Sequence, residues 1–172
     1  MTVSIDDPAH NYVSGVAGDP RIIDGPGEFE IAGASLVGVT TYRDKEKSAS
    51  AGRNVVYVIE VEDLRICHLG SIGHVPTSDQ VEEIGNVDIL LVPVGGGDSL
   101  DAPPAAETVS LIEPKLVIPM HFKTDIEKAA LDPIDRFLKE MGAKTTETHA
   151  KIAVTRSSLP EETQILILDY KR

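Results

Sequence analysis

Apolar and polar residues alternate along the first third of the chain and gather into solid apolar blocks in its second half. Glu28-Phe29-Glu30-Ile31 alternates with the period of a half-buried strand. Ser35 to Tyr42, rich in Val and Thr, continues as another strand. Asn54 to Val61 and Leu64 to Leu69 are joined by Glu62-Asp63 and predict a β-hairpin. Thr2 to Ile5 and Arg21 to Asp24 predict two brief strands, the first stopping at Asp6-Asp7-Pro8. The first opens straight into polar loop residues, so it is expected to need neighbours from elsewhere. Arg43 to Arg53 is charged and rich in small residues and predicts a mobile loop.

From Asp88 the pattern changes. Asp88 to Val94 and Lys115 to Met120 are continuous apolar runs, as in strands buried on both faces. Three helices are predicted around them. Thr77-Ser78-Asp79-Gln80 has the capping-box spacing and opens a short helix through Ile84. A second helix starts near Asp101 with prolines in its first turn and an apolar face of Ala105, Val109 and Ile112. A third follows Asp132-Pro133, carries the stripe Ile134, Phe137, Leu138 and Met141, and ends at Gly142. Two strands, Lys151 to Thr155 and Gln164 to Tyr170, are predicted to close the chain. With no internal repeat or linker, residues 1–172 read as a single α/β domain with helices packed outside a sheet.

Composition narrows the function classes. The 172 residues suffice for a substantial core, and with 4% aromatics and no Trp that core is aliphatic. A net charge of -12 repels phosphate backbones and anionic lipid heads, so neither nucleic acid nor membrane is an expected partner. One Cys cannot form an internal disulfide, and no apolar run approaches the roughly 20 residues that span a bilayer. The N-terminus lacks the basic and apolar regions of a signal peptide. A cytoplasmic setting is the expectation.

The candidate chemistry lies with the histidines. His10, His68, His74 and His121 each fall at or beyond the predicted end of a strand, where side chains converge on one edge of a sheet. Imidazole is a good zinc ligand, yet an isolated strand-end His is more often a hydrogen-bonded structural residue. Asp6-Asp7-Pro8-Ala9-His10 offers two carboxylates and an imidazole, and reads equally as turn chemistry. Ser71 lies between His68 and His74 without a nucleophile elbow. Gly95-Gly96-Gly97 has no accompanying phosphate-loop pattern and defaults to a turn. Cys67 is read as a small core residue.

Taken together, Gly25-Pro26-Gly27-Glu28-Phe29-Glu30-Ile31, Thr41-Tyr42, Cys67-His68-Leu69-Gly70-Ser71-Ile72-Gly73-His74, Leu91-Val92-Pro93-Val94-Gly95-Gly96 and Ile118-Pro119-Met120-His121-Phe122-Lys123-Thr124 resemble the metallo-β-lactamase superfamily. The branch is that of zinc-dependent hydrolases similar to ascorbate-phosphate lactonases. The resemblance implies an αββα sandwich, incomplete here at its N-terminus, with zinc activating water at one edge. The family signature His-x-His-x-Asp-His falls on Ile5, Asp7, Ala9 and His10, so only the last His is kept. The His after the tyrosine of the third motif falls on Arg43, the metal-bridging Asp on Ser71, and the final His on His121.

Two functions are therefore expected in order. The first is a member of the fold that has lost most metal ligands and serves as a binding or assembly module. The second is a residual one-zinc hydrolase of a small ester, lactone or phosphate-bearing substrate. It would use Asp7, His10 and His121 as ligands, at most one zinc, and His68 or His74 as catalytic helpers. A sandwich short of strands exposes an edge and an apolar face, so a homo-oligomer, or a partner supplying strands, is expected.

Overall fold

The structure is a computed structural model and describes residues 1–8, 10–44, 52–143 and 147–170. Its centre is a seven-stranded sheet built from β1 (Gly27–Ile31), β2 (Ala34–Tyr42), β3 (Arg53–Val61), β4 (Leu64–His68), β5 (Ile89–Pro93), β6 (Leu116–Met120) and β8 (Gln164–Ile165). They lie side by side in that order. The first four are antiparallel, and β4, β5, β6 and β8 run parallel. The meander-then-crossover division expected from the periodicity is the one found. Glu62 and Asp63 both adopt positive φ, the geometry of the tight turn that joins twisted strands, and close the β3–β4 hairpin.

Helices α1 (Ser78–Ile84), α2 (Ala102–Ile112) and α3 (Ile134–Glu140) contribute to the core on one face of the sheet. Alternate strand residues supply the other side of that core: Val56 and Val58 of β3, Cys67 of β4, Leu90 and Val92 of β5 and Val117 of β6. Ile84, Ala105, Val109, Ile112 and Phe137 reach them from the helices. Thr77 caps α1 by accepting from Gln80 N–H while the Gln80 side chain accepts from Thr77 N–H, the box the sequence predicts.

The opposite face carries the intervening residues. They form one cluster around Leu36, Val55 and Tyr57, and another around Ile89, Leu116 and Ile118. The C-terminal segment covers the second cluster with Ile152, Val154, Leu159, Leu166 and Leu168. It includes a two-stranded sheet of β7 (Thr148–His149) and β9 (Ile167–Leu168).

Four sequence expectations need correction. Thr2 to Ile5 and Arg21 to Asp24 are not full strands; they meet in one bridge, Thr2 with Ile23. The buried Tyr57 hydroxyl gathers the Val3, Ile23 and Gly25 carbonyls within 3.3 Å, so these segments are tied to a side chain instead of a ladder. Lys151 to Thr155 is not a strand. Its alternation comes from Ile152 and Val154 packing on the sheet, with no backbone ladder. Gln164 to Tyr170 breaks in two, because the chain leaves β6 after Ile165 to pair with β7. Of the predicted mobile loop, residues 45–51 lie outside the described residues, as does Ala9.

Candidate functional site

A cleft of about 640 Å³ opens on the sheet face away from the helices. Tyr57, Ile59, Ile66, Leu91 and Met120 line its apolar side. His10, His68, His121 and Ser71 line its polar side, with Thr2 and Ser4. Three of the five predicted site residues thus meet in one cleft, and each arrives for a local reason.

His68 is the last residue of β4. The strand period puts Cys67 into the helix-facing core and His68 on the cleft face. Gly70 N–H donates to His68 Nδ1 at 3.0 Å, so Nδ1 bears the lone pair and Nε2 carries the hydrogen. Burial holds the His68 pKa below its ordinary value. Beyond His68 the chain leaves the sheet. Gly70 takes φ of 63°, and a Cβ there would overlap Asn54 Oδ1.

The loop is held by Asn54, a fully buried side chain that sequence reasoning took only as the polar start of a strand. Its Nδ2 donates to Leu69 O at 2.9 Å and to Thr41 Oγ1 at 2.7 Å, and its Oδ1 accepts from Ser71 N–H at 2.8 Å. An Asn beside a run of buried valines was the available signal.

His121 follows β6 in the left-handed region, with φ of 53°, unusual for a residue with a Cβ and typical of site residues. Gly95 makes room for it, since a Cβ there would overlap the His121 carbonyl oxygen. Ser99 gives its one proton to Gly96 O at 3.0 Å, so the 3.0 Å contact with His121 is Nδ1–H donating to Ser99 Oγ. That leaves His121 Nε2 as an acceptor. Burial, then the nearby His10, lowers the His121 pKa. His10 is set on a turn in which Asp7 O accepts from His10 and Asn11 N–H at 2.8 and 2.9 Å. The His10 and His121 rings stand edge to face with centroids 6.2 Å apart.

The other two candidates are placed elsewhere. His74 is buried, its Nδ1 against Val75 O at 2.9 Å and its Nε2 accepting from Tyr42 N–H at 3.3 Å. It is not among the residues lining the cleft, so the structure does not bring it together with His10, His68 and His121. Asp7 turns to Arg43, whose Nη1 donates to Asp7 Oδ2 at 3.0 Å and whose Nη2 donates to Asp98 Oδ2 at 2.8 Å. Arg43 lines a neighbouring hollow of about 680 Å³ with Ile5, Asp6 and Arg53. Ile5 is buried. The burial of Cys67 pushes its thiol up to about 12, as expected of an inert core residue.

These residues do not fit a two-zinc centre. Two positions where the resemblance puts ligands, Asp7 and Arg43, hold each other by an ion pair. Ile5 offers no donor atom. Among the described residues no three His, Cys, Asp or Glu side chains are grouped closely enough to hold a metal ion, so Asp7, His10 and His121 are not assembled as the expected triad.

Comparison with known proteins gives a consistent family. The family model described as a beta-lactamase superfamily domain matches residues 1–121. A UPF0173 metal-dependent hydrolase of Thermococcus onnurineus is 32% identical over 120 residues, covering 69% of this chain and 53% of the relative. One from Pyrococcus horikoshii is 30% identical over 117 residues, covering 66% and 52%. The chain thus spans about half the length of these curated relatives. The crystal structure of a candidate Zn-dependent hydrolase of the metallo-beta-lactamase superfamily from Thermotoga maritima superposes with a TM-score of 0.81 at 38% identity, over 97% of this chain and 79% of that one. A metallo hydrolase of Ignicoccus hospitalis, with a TM-score of 0.54 at 18% identity over 76% of this chain and 57% of that one, speaks to the fold alone.

Proposed function

This chain belongs to the beta-lactamase superfamily, whose relatives here are named metal-dependent hydrolases, and from that premise we propose that it is a member that uses the cleft to bind and not to run dizinc hydrolysis. The observation that carries the reading is the ion pair between Asp7 and Arg43. A guanidinium beside a carboxylate supplies the positive charge that a metal would otherwise bring, and it repels a cation at the same place. Asp98 completes the neutralisation from the glycine loop. Asn54 and Ser99 orient the loop from Leu69 to Gly73 and His121 around the cleft.

A second reading, a residual one-zinc hydrolase using Asp7, His10 and His121, is favoured by one feature. His121 is oriented through Nδ1–H by Ser99, which leaves Nε2 as an acceptor with the His10 ring centroid 6.2 Å from its own, the way a ligating imidazole is usually held. It requires Asp7 to leave Arg43. Elemental mass spectrometry on protein purified with zinc in the medium separates the two. Binding without metal predicts under about 0.1 zinc per chain, since a three-ligand site retains its zinc through purification. A content near one that disappears in His121→Ala would replace the first reading by the second.

The assembly part of the proposal is a homo-oligomer or a partner that supplies strands. β1 ends the sheet, and its outer edge has no strand partner among the described residues. Light scattering behind size-exclusion chromatography should give a mass of two chains or more for the isolated protein, or for its mixture with the partner. A monodisperse monomer with no partner recovered from its source would end this part.

A further inference from the structure

We propose that the cleft takes an uncharged hydroxy-carbonyl compound with an apolar ring or chain: its carbonyl oxygen accepts from His68 Nε2–H and its hydroxyl donates to His121 Nε2. The inference rests on the reading of the cleft as a metal-free binding site and adds the chemistry of the ligand. Two observations carry it, and both are geometric.

The first is the fixed polarity of the two imidazoles. His68 lines the cleft, and Gly70 N–H occupies the lone pair of its Nδ1, so its Nε2 is a donor. His121 also lines the cleft, and Ser99 Oγ receives the proton of its Nδ1, so its Nε2 is an acceptor. Each backbone or hydroxyl partner is itself held, Gly70 by contact with Asn54 and Ser99 by Gly96. A ligand group that met the wrong polarity would leave a buried donor or acceptor unpaired, the costlier error in recognition.

The second is what the walls lack. In a chain of net charge -12, no Asp, Glu, Lys or Arg among the described residues lines this cleft. The Arg43 guanidinium opens on the neighbouring hollow and is committed to Asp7 and Asp98. A carboxylate or phosphate entering the cleft would lose hydration without gaining a fixed counter-charge. An ammonium would fare no better. Ile66, Leu91 and Met120 instead offer apolar surface along one wall, and the volume suits a small molecule.

The test uses three probes of one shape. Mandelamide carries the hydroxyl and the neutral carbonyl on a phenyl group, phenylacetamide lacks the hydroxyl, and mandelate carries a charge. Titration of isotope-labelled full-length protein at pH 7, followed by NMR, should move the His68, His121 and Met120 signals with mandelamide. Mandelamide should bind about tenfold more tightly than mandelate and severalfold more tightly than phenylacetamide. His68→Asn keeps an acceptor for Gly70 N–H but cannot reach the ligand, and should weaken mandelamide about tenfold with the fold intact by circular dichroism. His121→Ala should erase the difference between mandelamide and phenylacetamide. Equal or tighter binding of mandelate, or shifts confined to other surfaces, overturns the ligand class. Zinc measured on the same sample keeps the two failures apart. A zinc-free protein that prefers mandelate refutes only the ligand, whereas a zinc-loaded one refutes the metal-free reading beneath it.

Discussion

Asn54 shows what one buried side chain does for the site. It closes hydrogen bonds to Thr41, Leu69 and Ser71, which lie 13, 15 and 17 positions away in sequence. Ser71 N–H and Leu69 C=O would lose their partner in Asn54→Ala, and each unpaired buried group costs about 1–3 kcal/mol. The expected loss is about 3 kcal/mol in urea unfolding, with the cleft loop loosened first in hydrogen exchange. A loss below about 1 kcal/mol would mean that the loop is held by something else. This residue was hard to read because nothing near it in sequence marks its partners. His68 and His121 were easier, because strand ends and following glycines are local signals. Their tautomers were not readable at all, since these depend on Gly70 backbone geometry and on Ser99, 22 residues from His121. Two contacts of His74, with Tyr42 and Val75, are to main-chain groups that leave no trace in composition.

At the scale of elements, periodicity located nearly every strand and helix that positions the cleft. The hairpin of β3 and β4 is legible because period 2 and a two-residue turn coincide, and the apolar runs of β5 and β6 because both sheet faces are buried. α1 was legible to its capping box. The signal failed where packing and pairing part company. Ile152 and Val154 alternate with polar residues and bury on the sheet without joining a ladder. The same holds at the N-terminal segment, where Ser4 O accepts from Val55 N–H just beyond the end of β4. One such bond brings Thr2, Ser4 and, through the Asp7 turn, His10 to the cleft rim. An alternating pattern reports which side of a residue is buried, and it does not report what its backbone bonds to.

For the whole molecule two opposing electrostatic effects set the dependence of stability on pH. A net charge of -12 at neutral pH strains the folded state by self-repulsion, and protonation of surface carboxylates on acidification relieves it. His68 works the other way. Its folded pKa lies below the ordinary value of 6.5, with burial as the largest cause. Unfolding therefore takes up a proton in the window below 6.5, and the stability from keeping this imidazole neutral is present above 6.5 and drains as pH falls toward the folded value. Within that window the slope approaches about 1.4 kcal/mol per pH unit for the single proton. His121 shifts in the same direction but is exposed, so solvent damps its share. Salt distinguishes the two effects, because surface repulsion is screened within about 10 Å at 0.1 M ionic strength and a buried imidazole is screened far less. In about 0.5 M sodium chloride the urea midpoint should thus fall steadily from pH 7 to pH 5, and His68→Asn, which cannot titrate and still accepts from Gly70 N–H, should flatten that fall. An unchanged slope in His68→Asn would show that the acid sensitivity comes from other groups, and that His68 takes up its proton in the folded state without cost to the cleft.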